Sequence, residues 1–328
     1  MEIRTLGSLG PVSVLTLGGG GLGQVWGVTD RDEAVATVRE AVDAGIDLLD
    51  VAPGYGDGEA ERVVGAAFDG TLPAGVRVVT KCGLGNPAAG DVAALLEKSL
   101  DDSLQRMRLS TVDVFLLHNP IVAQAAPGTA GVTSVGLFTE AVRPAFEDLV
   151  RRGRIGAWGV TAVEEPDVII QVFGDQPPPA VAQCVTNLLD SPGDLLRPDG
   201  DGSRPRDILS AAGRYGVGVM GIRAVAAGAF TDAVDRNLPS EHPTMVDFRR
   251  AAPLRELAGE LGESVASLAH RYALSMPGVD TVVLGVKNRA ELRECLAAVA
   301  AGPLPADLMA TIEGRVGTTD RVGAQISK

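Results

Sequence analysis

Aromatic side chains make up only 4% of the 328 residues. Any core must therefore be aliphatic, built from Val, Leu, Ile and Ala, and each Trp or Tyr at a polar position carries more information than usual. Cysteine is equally scarce. Cys82, Cys184 and Cys295 lie far apart, an odd number without metal-ligand spacing. That pattern argues against a disulfide scaffold and against a zinc site. The three histidines, His118, His242 and His270, are scattered too, and no metal site is expected. Basic residues are outnumbered, 29 against 42 acidic ones, for a net charge of −13. Nucleic-acid binding draws on cationic contacts to phosphates, and anionic membrane surfaces attract basic segments, so neither partner is expected. No apolar run approaches the roughly 18 residues that would span a bilayer. The opening "MEIRTLGSLG" has no apolar stretch of the signal-peptide kind. The expectation is a protein of the reducing cytoplasm.

Apolar residues still amount to 45% of the chain, enough for a sizeable core. Short β-rich runs alternate with longer helical patterns. The strand candidates are 14–18, 46–50, 76–81, 112–118, 157–160, 181–185, 217–222 and 281–285. Most are unbroken apolar runs, as expected of strands buried on both faces in a parallel sheet. Between them lie helical segments. "TDRDEAVATVREAVDAG" has Thr29 or Asp30 as a cap, one apolar face, and Gly45 as its stop. Eight strands, each followed by a helix, predict an α/β fold: a closed (β/α)8 barrel in one domain, 1–328. "TLGSLGPVSVL" reads as a small hairpin before the first barrel strand, and "LPADLMATIEGRV" as an extra C-terminal helix. Two long loops, Asn119–Val135 and Asp190–Arg206, follow strands. Loops of that length in compact domains are usually functional or disordered.

"GGGGLG" at 18–23 satisfies the spacing G-x-G-x-x-G, yet the dinucleotide fingerprint requires a helix to open within the glycines. Here "QVWGV" intervenes before any helical pattern. The glycines are better read as a turn that lets a ligand approach the backbone, with Trp26 in the same loop.

In a parallel barrel the C-terminal strand ends share one face, and active sites sit there. Asp50 in "DLLD", Lys81 in "VVTK" and His118 in "VFLLH" close three successive strands, and Tyr55 follows the first by a glycine-rich turn. A phenol ionises near pH 10, too high for easy proton transfer at neutral pH. A neighbouring ammonium favours the phenolate and lowers that value. Lys81 can supply this charge and Asp50 can pair it, while His118 can hydrogen-bond to a substrate oxygen. Each residue also has an ordinary reading: a structural ion pair, a satisfied strand-end histidine, a packed loop tyrosine. Four of them at one rim favour the catalytic one.

This constellation, together with "RTLGSLGPVSVLTLGGG", "GIDLLDVAPGYGDGEAERVVG", "STVDVFLLHNP", "RRGRIGAWGVT" and "PGVDTVVLGVKNRAELRECL", resembles the aldo-keto reductase family. The resemblance implies a barrel that binds NAD(P) without a Rossmann domain. It also implies Tyr55 as general acid/base, assisted by Lys81, Asp50 and His118. For the cofactor, Gly21 and Leu22 match the loop after the first barrel strand. Thr161 matches a usual serine at the nicotinamide amide, although Ala162 replaces the usual asparagine beside it. Gln183 matches the usual glutamine. Ile222 falls where an aromatic often stacks on the ring, and Arg223, in place of a serine, can reach the pyrophosphate. Trp26 and Asn119, with Tyr55 and His118, are expected to line the substrate pocket. In "GVKNRAELRE" a usual lysine is replaced by Gly285 and a usual arginine by Glu291, which favours NAD over NADP. Lys287 and Arg289 pull the other way. "DVAPGYGDGEAE" is most similar to the branch of aldose 1-dehydrogenases and pyridoxal 4-dehydrogenases, which implies oxidation of a cyclic hemiacetal to a lactone. An NADPH-dependent carbonyl reductase is the alternative, and a redox-sensing module like the β subunits of potassium channels is an alternative of another class.

Overall fold

In the computed structural model, residues 1–195, 197 and 203–315 are described. The chain opens with a hairpin, β1 (Ile3–Thr5) paired antiparallel with β2 (Pro11–Ser13). β3 (Leu15–Gly18), β4 (Leu48–Asp50), β5 (Arg77–Cys82) and β6 (Val112–Leu117) follow. β7 (Ile121–Val122) and β8 (Thr133–Ser134) form a small parallel pair inside the first long loop. β9 (Ile155–Ala162), β10 (Val181–Val185), β11 (Gly218–Ile222) and β12 (Thr281–Leu284) complete the set. The sheet order β10-β11-β12-β3-β4-β5-β6-β9 closes on itself, with every pairing parallel. This is the (β/α)8 barrel that the alternating pattern predicts.

Strand parity divides the core in two. Leu48, Val79, Val114, Leu116, Val181 and Met220 fill the barrel interior, together with Leu6 and Val12 from the hairpin. Leu49, Val78, Cys82, Phe115, Leu117, Val160, Ala182 and Cys184 pack outward against the helices. Successive side chains of a strand alternate faces. Leu48 and Val79 therefore place Asp50 and Lys81 on the inward face, Leu116 places His118 there, and Val181 places Gln183 there. The functional candidates are the last inward positions of their strands, where the apolar fill stops and the mouth begins. Ala162 shares the outward parity, facing the helix layer.

Local chemistry sets the helix bounds. Asp30, rather than Thr29, caps the helix Arg31–Asp43, its carboxylate accepting from Glu33 N at 2.8 Å. Gly45, at φ 91°, stops the chain just past its end. Within the glycine run, Gly19–Leu22 forms one helical turn, a difference from the sequence reading of a plain turn. Eight residues separate it from the next helix, so no long helix rises from the glycines. Residues 306–315 are helical, in accord with the expected C-terminal helix, whose last residue, 316, lies outside the described residues. The same is true of 196 and 198–202 in the second long loop.

Candidate active site

Lys81 is fully buried, and three groups surround its ammonium. Both Asp50 oxygens lie close to Nζ, Oδ1 at 2.9 Å and Oδ2 at 3.0 Å. Nζ also donates to Val51 O at 3.0 Å and to the Tyr55 hydroxyl at 3.3 Å. It sits 4.6 Å from the centroid of the Tyr55 ring. Gln183 Nε2 donates to Asp50 Oδ1 at 2.8 Å, so the carboxylate is held from two sides. A buried charge is tolerated only when paired and hydrogen-bonded, and this cluster meets that condition. His118 stands edge-on to Tyr55, with ring centroids 5.7 Å apart.

Electrostatics assign protonation states. Burial would depress the Lys81 ammonium, but Asp50 and Tyr55 more than offset it, so its affinity for the proton is raised. Burial lifts the Tyr55 phenol, and Lys81 only partly opposes this. The net direction is upward, where the sequence argument weighed the ammonium alone and expected a lowering. Burial, then the Lys81 charge, holds His118 down to about 3, so its imidazole is neutral at physiological pH.

These residues open into a cavity of about 680 Å³ that runs from Tyr55 and His118, past Thr161, Gln183, Ile222 and Arg223, to Gly285, Lys287 and Glu291. That volume lies within the roughly 300–1,000 Å³ of small-molecule sites. Trp26 lines it too, but beside Gly20 and Gly285 and under Arg236, whose Cζ is 5.5 Å from its ring. It thus stands on the β3–β12 side. Asn119 does not line the cavity: its Oδ1 accepts from Gly85 N at 2.7 Å, tying two loops together. Gly21 and Leu22 are not among its lining residues: Leu22 is buried in the core, and Gly21 packs so closely on Val286 that a Cβ there would lie 2.0 Å from Val286 O. Arg289 is paired with Glu33 at 2.8 Å.

Other lining residues went unnoticed in the sequence. Asp194, in the second long loop, pairs with Arg223. Asp235 holds the Lys287 ammonium, which also lies 3.3 Å from Glu291 Oε1. Leu195 and Arg197 line the cavity, with Pro120 and Gly131 from the first loop. The signal was present only in loop length; which loop residue turns inward depends on tertiary contacts.

The profile of the aldo/keto reductase family matches residues 14–315. The chain belongs to the aldo/keto reductase family. It is an oxidoreductase of this family, whose members bind nicotinamide cofactors. L-galactose dehydrogenase of Arabidopsis thaliana is 28% identical over 307 residues, covering 91% of this chain and 88% of the relative. A probable voltage-gated potassium channel subunit beta of Oryza sativa subsp. japonica is 26% identical over 300 residues, covering 84% of each. The solved structure of a glycerol dehydrogenase from Gluconobacter oxydans superposes with a TM-score of 0.74 at 24% identity, over 97% of this chain and 95% of the other. At that identity the likeness speaks for the fold.

The residues present fit a nicotinamide dinucleotide. Arg223 is only 6% exposed, and its Nε and Nη2 have no hydrogen-bond partner. Arg236 Nε, on the same cavity, also lacks one. Buried donors without partners are costly, and two guanidinium groups on one cavity carry the charge that an anionic diphosphate needs.

Proposed function

We propose that this aldo/keto reductase oxidises the cyclic hemiacetal of an aldose or of a pyridoxal-type aldehyde to a lactone, with NAD as cofactor. The reading is carried by the Tyr55 hydroxyl, 3.3 Å from the Lys81 ammonium in a mouth shared with a neutral His118. Tyr55, in the phenolate form that Lys81 stabilises, takes the proton of the anomeric hydroxyl and becomes the neutral phenol, while Asp50 keeps Lys81 charged and in place. His118 hydrogen-bonds the reacting oxygen and turns it toward Tyr55. The nicotinamide supplies the hydride acceptor. Thr161 and Gln183 would hold its carboxamide, Ile222 would pack on its ring, and Arg223 would pair its diphosphate. The likeness to an L-galactose dehydrogenase supports an aldose. A preference for NAD over NADP is supported by carboxylates at the far end of the cavity. Lys287 is engaged by Asp235 and Glu291, and Arg289 by Glu33, so both cations are already compensated.

A second reading, carbonyl reduction, has its own support. Burial lifts the Tyr55 phenol, so it stays protonated at neutral pH, and a protonated phenol is the acid that a carbonyl oxygen needs. One experiment separates these readings from a redox-sensing module of the channel-subunit kind. NAD⁺ reduction is followed with a panel of aldoses and pyridoxal, and NADPH oxidation with aldehydes, for the wild type and Tyr55→Phe. Hemiacetal oxidation is expected, rising toward alkaline pH as the phenolate fraction grows. Tyr55→Phe should lose about 10²–10⁴-fold in kcat with cofactor binding intact. A variant keeping more than about a tenth of wild-type kcat, roughly 1.4 kcal/mol in barrier, would overturn the role of Tyr55.

A further inference from the structure

Beneath the Tyr55 turn, on the outer side of β5, lies a second polar cluster that the chemistry above does not use. Lys81 shares the inward face of β5 with Val79. Its neighbour Thr80 has the outward parity of Val78 and Cys82. Thr80 Oγ1 donates to Glu61 Oε1 at 2.6 Å, and the other carboxylate oxygen, Oε2, accepts from Arg106 Nε at 2.5 Å. Glu61 and Thr80 are both fully buried. Glu61 belongs to the helix Glu59–Phe68, which starts directly after the Tyr55 turn. Arg106 belongs to the helix Val92–Met107, where its Nη2 also reaches Ser103 Oγ at 3.1 Å.

Arg106 touches the turn itself. Gly58, at φ 78°, is the left-handed N-cap of the Glu59–Phe68 helix, and a Cβ there would lie 2.5 Å from Arg106 Cδ. The glycine is therefore needed twice, for its backbone conformation and for the close approach of the arginine stem. Three elements meet at one carboxylate: the Tyr55 turn with its helix, the strand that carries Lys81, and the next helix.

We infer that Glu61, bridging Thr80 and Arg106, is a positioning residue that sets the distance between the Tyr55 hydroxyl and the Lys81 ammonium. Thr80 and Lys81 are adjacent on one strand, so a shift of Thr80 along β5 moves Lys81 with it. Tyr55 is six residues before Glu61, with the turn clamped between Arg106 and the helix start, so a tilt of this helix moves Tyr55. Burying a carboxylate and a hydroxyl for packing alone is unfavourable compared with apolar residues of similar size. The bridge gives a fixed length, which apolar contact does not. A misplacement of about 1 Å in such a pair costs up to a hundredfold in rate.

The inference rests on the reading of Tyr55 as the acid/base, and the test keeps the two apart. Thr80→Val, Thr80→Ser and Glu61→Gln are compared with the wild type, with Tyr55→Phe as the blank. The titration of the Tyr55 phenol is read by ultraviolet difference spectroscopy against that blank, without turnover. Steady-state kcat and cofactor KM are measured alongside. Thr80→Val and Glu61→Gln should lower kcat by about ten- to a hundredfold, with cofactor KM within about twofold. The phenol should titrate about one unit higher, because the ammonium that favours the phenolate stands farther off. Thr80→Ser, which keeps the hydroxyl, should restore both. If Glu61→Gln does not accumulate as folded protein, the Thr80 pair carries the test. Folded variants with a lower Tm but unchanged kcat and phenol titration would show a merely structural bridge and overturn the inference. Unimpaired turnover by Tyr55→Phe would instead sink the acid/base role, while the titration still reads the bridge.

Discussion

The proposed preference for NAD rests on Glu291. Its Oε2 accepts from the Lys287 backbone N at 2.9 Å, its Oε1 lies 3.3 Å from Lys287 Nζ, and it lines the cavity. A carboxylate there repels a 2′-phosphate and can accept from a free ribose hydroxyl. Glu291→Arg removes the repulsion and releases Lys287 from one of its two carboxylates. The ratio of kcat/KM for NADP⁺ over NAD⁺ should rise at least about tenfold, or 1.4 kcal/mol of differential binding. An unchanged ratio in steady-state kinetics would mean that Glu291 does not read the cofactor. At the other end of the cavity, His118 couples stability to pH. Its imidazole is held at about 3, and burial lowers that of His270 as well. Unfolded histidines titrate near 6.5. Between that value and the folded ones the unfolded chain binds more protons, so stability rises with pH there. The contribution is complete above about pH 6.5 and is lost as pH falls toward the folded values. Tm should therefore decline between about pH 7 and 5, before the carboxylates protonate, and His118→Gln should flatten the slope. A level Tm across that range in the wild type would contradict the assignment.

The elements were more legible than the contacts between them. The strand ends could be read because buried parallel strands are continuous apolar runs, and a polar residue closing such a run is visible in one dimension. Asp50, Lys81 and His118 stand out for that reason, and the closed barrel brings them to one mouth. What the sequence leaves open is the direction taken by loop side chains. Trp26 packs against Gly20 and Gly285, and Asn119 secures Gly85, because backbone geometry far away in the chain decides where each can turn. The net shift of Tyr55 was illegible too, since it depends on how deeply the turn is buried. The first long loop shows what such ties do. Asn86 Nδ2 donates to Ala125 O and Ala126 O at 3.0 Å, and its Oδ1 accepts from Ser134 N at 2.9 Å. Thr133 Oγ1 donates to Gly85 O at 2.7 Å. Pro120 and Gly131, on the cavity, are held in place through this web. Asn86 is buried, and Asn86→Ala should cost about 1 kcal/mol for each hydrogen bond lost. It should also raise the substrate KM several-fold while leaving the cofactor Kd unchanged. A substrate KM equal to that of the wild type would show that the loop shapes no part of the pocket.

At the scale of the whole molecule, the two ends of the barrel have separate duties. The net charge of −13 repels an anionic cofactor at long range, so its attraction must be local. Arg197, Arg223, Arg236 and Lys287 gather at the C-terminal mouth. The opposite end is closed by the hairpin. Leu6 and Val12 enter the interior cluster with Leu48, Val79 and Met220, and Arg4 Nη1 donates to Leu274 O and Val279 O, each at 2.9 Å. At Gly7, φ 48°, a Cβ would lie 2.6 Å from Ala180 O and Gly218 N, so the hairpin tip presses against the starts of β10 and β11. Residues at this end of a parallel barrel serve stability, and those at the other end serve chemistry. Leu6→Ala puts that division to the test. Leu6 is completely buried, and its truncation leaves a cavity that the rigid strands around it can only partly close. The expected cost is about 2–5 kcal/mol in urea denaturation. Below the transition, kcat and both KM values should stay within about twofold of the wild type, because the rim residues are held by Lys81, Gln183 and the helix layer rather than by the plug. A fall in kcat that matched the loss of stability would mean that strain at the closed end reaches the mouth, and the two ends would then have to be treated as one cooperative unit.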